Sequence, residues 1–443
     1  MNQQILIKNA RYYYLEKPVP HFIEYASLVL EDGFLTKIIP AKETTELEKT
    51  ATFQKIIDAT GMIILPGLTN GHTHVAMNFL RGLQYDHRKD IIGDLMWKTE
   101  TQLSPELVSV FAQIGIRECL LTGTTQIIDH YYFCESIAEA CVKMGIRGFI
   151  CEAALDLQGP LTSRKDYLRT FEFSEKWHNR NPLVQPVIGP HAPNSVSSEK
   201  SLELARFAKK KKLPLHFHLA QSRLEYEEIT SNYEKTPVQL AYENGWLGEH
   251  SLAAHCIYVS DDDIRLLQDT HTSVAYCPSS QIVFATLASI QKFQKAGINT
   301  LLSTDCVASA DHMSMLREIQ TAIQFNKYLT PFHSINFFGP LLWSTQSVQK
   351  WFPHKSPSSQ KTDLIICDME WAKLNYMPAY DPNIFLPLHF DQLRPKYVLV
   401  NGEWSVWDFK CVHINEAELM HEADKAFQWM AQKVGLKMPL ICP

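Results

Sequence analysis

Eight short runs rich in apolar and β-branched residues follow one another from Ile63 onward, most of them separated by longer stretches with helical spacing. The runs are IILPGLTNGHTH, TTQIIDHYY, RGFICEAAL, VQPVIGPHAP, LPLHFHLA, SLAAHCI, SVAYCPSS and INTLLSTDC. Between them lie segments such as PELVSVFAQIGIRECLLTG, SIAEACVKMGI, SEKSLELARFAKKKK and SDDDIRLLQDT, several followed by the glycine that helix ends favour. Alternation on this scale calls for a mainly parallel sheet, and eight repeats are the number that closes into a barrel. On pattern alone an open doubly wound sheet is the alternative. The expected fold class is α/β, a TIM-type (β/α)₈ barrel over residues 61–359.

The flanks read differently. QQILIKNARYYYL and YASLVLEDGFLTKIIP precede the barrel, and TDLIICDME and PKYVLVNGEWSVWD follow it, with hairpin signals at Glu-Asp-Gly and Asn-Gly. Neither end has enough strands to be stable alone. Residues 1–60 and 360–415 are therefore expected to pair into one small β domain, with a helical tail over 416–443. A net charge of −6 argues against a nucleic-acid footprint. The basic run 209–212 reads as the solvated last turn of a helix. No run approaches the ~18 apolar residues of a membrane span, and the start has no signal-peptide pattern, so a cytoplasmic enzyme is expected. The ten cysteines include no C-x-x-C pair, which argues against a zinc knuckle, a redox motif or a disulfide scaffold.

In such a barrel the chemistry sits at the C-terminal ends of the strands. Runs 1, 4, 5, 6 and 8 end in His72 and His74, His191, His216 and His218, His255, and Asp305. Positions i and i+2 of a strand point the same way, so both rings of an H-x-H pair face one side. One such pair carries little weight in a chain with 18 histidines, and a lone Asp after a strand is usually a helix cap. Coincidence on five strand ends is different: neutral imidazoles and a carboxylate are the ligands that divalent zinc or ferrous iron takes.

These pieces resemble the amidohydrolase superfamily, in the branch holding S-adenosylhomocysteine and methylthioadenosine deaminases, cytosine and guanine deaminases and triazine hydrolases. LPGLTNGHTHVAMNFLRGL, GTTQIIDHYYF, GPHAP, HFHLAQS, LAAHCIYVSDDDI, CPSSQ, AGINTLLSTDCVAS, KTDLIICD and VLVNGEW stand in family order. The resemblance implies one divalent ion, zinc first with iron or manganese as alternatives, on His72, His74, His218 and Asp305. It implies that Asp305 carries protons, that His255 contacts the water or the reacting group, and that His191 and Arg81 lie near substrate. His216 is expected to pack on the inward face. Such an ion lowers the pKa of bound water from ~15.7 toward ~7, so a hydroxide would attack an electrophilic ring carbon and expel ammonia. The implied substrate is a small purine-, pterin-, pyrimidine- or triazine-like heterocycle or nucleoside. Homodimerisation is a habit of the family that the sequence neither supports nor contradicts.

One position departs from the pattern. Where the deaminases carry H-L-x-E, this chain has HLAQ, and the amide of Gln221 cannot shuttle a proton. Four readings stay open: Asp305 acts alone, Glu225 one helical turn further reaches in, an amide or another ring substituent such as chloride is hydrolysed instead, or the chain is a catalytically impaired metal-binding homologue. Gln281, Asp311 and Ser314 also depart from the pattern and leave substrate identity open.

Overall fold

The computed structural model describes residues 4–14, 21–83, 91–162, 164–283, 286–329, 336–353, 360–369 and 386–435. Its barrel strands are β1 (Leu68–Thr73), β2 (Thr124–Tyr131), β3 (Arg147–Ala154), β4 (Val184–Pro186 with Gly189–Pro190), β5 (Leu215–Leu219), β6 (Ser251–His255), β7 (Ser273–Tyr276) and β8 (Thr300–Leu302). All neighbouring pairs are parallel, in two arcs, β1 to β4 and β5 to β8. Single bridges, Ile188 to Leu215 and Thr73 to Asp305, join the arcs and close the (β/α)₈ barrel.

Both seams run through residues singled out for chemistry. At one, His218 N–H donates to the His191 carbonyl at 2.9 Å and His216 N–H to the Ile188 carbonyl at 3.0 Å. At the other, Asp305 N–H donates to the His72 carbonyl at 2.9 Å, and the Thr73 hydroxyl to the Asp305 carbonyl at 3.1 Å. Inside the cylinder, Ile128, Phe149, Cys151, Leu252, Ala254 and Leu301 form one buried cluster that Val348 and Trp351 plug. The helix carrying these two plugs is Ser347–Trp351.

The first run is two strands rather than one. Met62–Pro66 lies in the other sheet, antiparallel to Leu364–Asp368, and only Leu68–Thr73 enters the barrel. The break falls at Gly67, where a Cβ would come within 2.2 Å of the Thr125 hydroxyl and 2.9 Å of Asp363 Cβ. Strands from both flanks share this nine-stranded sheet, which runs from Lys410–Cys411 at one edge to Phe34–Pro40 at the other. The tail helix Glu416–Val434 packs on the barrel helix Pro105–Leu121, with Phe427 stacked on Phe111 at 5.2 Å. Lys209, Lys210 and Lys211 occupy the last turn of helix Ser198–Lys211, where cations complement the helix dipole. Among the described residues no helix is long and apolar enough to cross a membrane, and the cysteines are unpaired and buried.

A second close approach bears directly on the strand that carries His72 and His74. A Cβ on Gly71 would lie 2.6 Å from Leu301 Cβ and 2.7 Å from the Ser303 hydroxyl, across the β1–β8 seam. Gly71→Ala is expected to lower the unfolding midpoint in a thermal melt, by an overpacking cost of ~1–3 kcal/mol. An unchanged midpoint would mean that the seam is looser than described.

Candidate metal centre and active site

His72 and His74 stand at the end of β1, His216 and His218 on β5, and His255 on the last position of β6. Asp305 follows β8 with left-handed backbone, φ 65°, and His255 has φ 75°. For residues with a Cβ this conformation costs of order 1–3 kcal/mol each, and it persists where the surroundings over-determine it. The seam hydrogen bonds to β1 hold Asp305 in this way.

Hydrogen bonds fix the tautomer of each ring. A carbonyl can only accept, so His74 Nδ1 donates to the His130 carbonyl at 2.5 Å and His218 Nδ1 to the His191 carbonyl at 3.0 Å. His216 Nδ1 donates to the Leu252 carbonyl at 2.9 Å, which leaves its Nε2 to accept from His72 Nδ1 at 2.7 Å. In the neutral rings of His72, His74 and His218 the lone pair is therefore on Nε2. Those lone pairs face one another: His74 and His218 Nε2 are 3.4 Å apart, and Asp305 Oδ1 is 3.2 Å from His74 Nε2 and 3.5 Å from His72 Nε2. Two ligands held ~2.0–2.1 Å from one tetrahedral ion lie roughly 3.3 Å apart.

Converging acceptors need a cation between them. His72 Nε2 is buried with no hydrogen-bond partner, and the ligand atoms of His72, His74 and Asp305 all lie within 4.8 Å of one another, as do those of His72, His218 and His255. Burial depresses His72 and His218 well below the usual imidazole value, which keeps them neutral. Burial also pulls His74 down, but Asp305, Asp129 and the His130 carbonyl together outweigh it and the net shift is upward. Burial would raise Asp305; the His72 and His74 rings facing it hold it well below the usual carboxylate range. The pocket thus draws one positive charge, for which a proton and a metal ion compete. The donor set fits a divalent ion.

Asp305 Oδ2 accepts from the Ser280 hydroxyl at 2.6 Å and the Ser309 hydroxyl at 3.2 Å. Beside the cluster opens a cavity whose wall includes Asp305, His130, His191, Gln221, Trp97 and Glu100. His191 is held by Ser195, 2.8 Å from Nδ1, and burial lowers its pKa to about 4. His255 is fully buried behind the cluster, its ring stacked on His218 at 5.5 Å and both nitrogens unpartnered. Arg81 is tied to Glu118 and donates to the Asp311 carbonyl at 2.5 Å, and it is not part of the cavity wall. Glu225 accepts backbone N–H from Ala220 at 2.9 Å and Gln221 at 2.7 Å, so both oxygens are spent on the turn after β5.

Two residues of the site escaped the sequence analysis. His130, on β2, is buried with both ring nitrogens unpartnered and lies in van der Waals range of His218, ring centroids 4.9 Å apart. Its signal was present, a histidine at the end of the second run, yet a lone one. Glu100 carries no signal at all: it ends the short helix Trp97–Glu100 after β1, where spacing says nothing about the cavity.

Residues 63–338 match the sequence profile of the amidohydrolase family, and the chain belongs to that family of hydrolases. It is similar to the 5'-deoxyadenosine deaminase of Methanosarcina barkeri, 28% identical over 97% of this chain and 99% of that one. It is 33% identical to the 5-methylthioadenosine/S-adenosylhomocysteine deaminase of Aquifex aeolicus over 74% of this chain and 77% of the relative. The fold is that of an adenosine deaminase from Xanthomonas campestris solved with bound zinc, at TM-score 0.86 and 20% identity over 97% and 99% of the two chains.

His216 does more than pack, because it dictates which nitrogen of His72 is free. Replacing His216 with Phe removes that acceptor, and the affinity for a divalent ion is expected to fall 10- to 100-fold in a competitive chelator titration. Unaltered affinity would show that His72 keeps its tautomer without this partner.

Proposed function

We propose that this chain is a zinc-dependent aminohydrolase that releases ammonia from an amine-bearing heterocycle, an adenosine-type nucleoside first among them. The observation that carries the reading is the convergence of three Nε2 lone pairs and Asp305 Oδ1 at the mouth of the barrel, beside a cavity. The relatives support the leaving group and the ring class, since those named above are deaminases of adenine nucleosides.

His72, His74, His218 and Asp305 would hold the ion. Bound there, a divalent ion supplies Lewis acidity, lowering the pKa of water from ~15.7 toward ~7. Asp305 Oδ2 takes the proton of the attacking water and passes it to the departing amine. Ser280 and Ser309 aim that oxygen. His255, neutral because burial lowers its pKa to about 4, has a free N–H to donate to the oxygen that adds to the ring carbon. His191 and Gln221 line the cavity, which supports a role for them in meeting the ring.

Gln221 favours a second reading, hydrolysis of an amide or of another ring substituent, for which protonation of a ring nitrogen matters less. Metal analysis of the purified protein, with an ammonia-release screen of heterocyclic amines, separates the two. About one zinc per chain and ammonia from an aminopurine nucleoside are expected, with Asp305→Asn slowing turnover by ~10²- to 10⁴-fold. A metal-loaded protein that releases no ammonia from any ring amine would overturn the deaminase reading. Gln221→Glu tests the amide itself: increased turnover would mark the native chain as an impaired deaminase, whereas a loss, the result expected here, marks Gln221 as part of a working site.

A further inference from the structure

His130 has no task in the chemistry set out above, although its ring reaches the same donors. We infer that His130 is a further protein ligand of the divalent ion: a nitrogen of its ring joins the Nε2 atoms of His74 and His218, so that the ion takes five side chains and not four. The inference rests on the metal centre of the proposed aminohydrolase and not on its leaving group.

The strand puts the ring there. His130 is the next-to-last residue of β2, two positions beyond Ile128, which packs in the buried cluster inside the cylinder, so both side chains point inward. Asp129 alternates to the other side of the strand, where it accepts the Val75 N–H at 2.7 Å. At 1% exposure the His130 ring lies in the cavity wall, its centroid 4.9 Å from that of His218 and 6.3 Å from that of His74. The carbonyl of the same residue orients the His74 ring.

One donor atom each from His74, His130 and His218 lies within 4.8 Å of the other two. The Nδ1–H of His74 and of His218 is spent on a carbonyl, so Nε2 is what these two rings can offer. A neutral imidazole has a single such lone pair. Two ions cannot share it, so the group that contains His130 and the group of His72, His74 and Asp305 describe one ion. Donors ~2.1 Å from a six-coordinate ion stand roughly 3.0–4.2 Å apart, and His130 needs to move little to comply. No hydrogen bond resists the move. Among the described residues neither of its buried nitrogens has a partner, so either is free to carry the lone pair. Leaving both in that state is costly, and an ion on one of them removes part of the cost. His255 also meets two of the donors, those of His72 and His218, but the proposed chemistry already uses its N–H.

The test loads the metal-free wild type, His130→Phe and His191→Phe with cobalt(II) alone and reads the visible spectrum, with zinc affinity from competition against a chelator. Cobalt(II) absorbs more strongly as its coordination number falls, because a less symmetric ligand set relaxes the selection rule on its d–d transitions. In His130→Phe the bands are expected to grow roughly twofold or more, and zinc affinity to fall ~10-fold or more. A ring that only touches substrate, or only tunes the pocket from outside the ligand set, leaves the spectrum unmoved. His191→Phe removes an imidazole from the same wall and is expected to keep the wild-type spectrum. Should His130→Phe fail to fold, His130→Met fills the gap with a flexible thioether, a poor ligand for divalent cobalt, and is expected to show the same growth.

A His130→Phe spectrum superimposable on that of the wild type, whatever the zinc affinity, overturns the inference, and so does an equal change in His191→Phe. Failure of the aminohydrolase reading looks different: no ring amine yields ammonia, while the His130→Phe spectrum still changes. A wild-type protein that binds no cobalt loses the metal centre, and His130 with it.

Discussion

The hydrogen bond from Asp305 N–H to the His72 carbonyl closes the barrel and, in the same 2.9 Å contact, brings together the two ends of the chain segment on which the chemistry depends. His72 and Asp305 are far apart in sequence, and only closure of the last strand onto the first makes them neighbours. The opposite seam does the same for His191 and His218. Folding and assembly of the site are one event, so a change that opens a seam also disperses the donors.

Closure has an electrostatic cost. Several imidazoles are taken out of water and their lone pairs pointed at one another, and burial keeps most of them from relieving the strain by protonation. Asp305 offsets part of this by drawing positive charge onto His74, and a divalent ion would offset more because it meets several donors at once. Anything that binds the folded state and not the unfolded one adds stability by mass action. The left-handed backbone at His255 and Asp305 belongs to the same account, since local strain is held in place by the surrounding hydrogen bonds.

Much of this was legible in the sequence, and physical reasons mark the boundary. Period-two spacing placed both rings of each H-x-H pair on one side, and the barrel rule pointed to the strand ends; the fold gathers His72 and His74 with Asp305, His72 and His218 with His255, and His74 and His218 with His130. The split of the first run at Gly67 was not legible, because it is imposed by the approach of Thr125 and Asp363 from elsewhere in the chain. The helical spacing of Glu225 was sound, yet Ala220 turns with φ 50° and aims two backbone N–H groups at that carboxylate. His216 read as packing, since a hydrogen bond between two histidines on different strands leaves no trace in either run. Glu100 was invisible because a connecting helix brings it to the cavity without any pattern.

The proposed hydrolysis depends on His72, His74, His218 and Asp305 holding one divalent ion together. Anomalous diffraction at the zinc edge, from crystals of the zinc-loaded protein, tests it most directly. One peak is expected within ~2.0–2.2 Å of the three Nε2 atoms and of Asp305 Oδ1. A peak ligated elsewhere, or no peak between these four side chains, would contradict it.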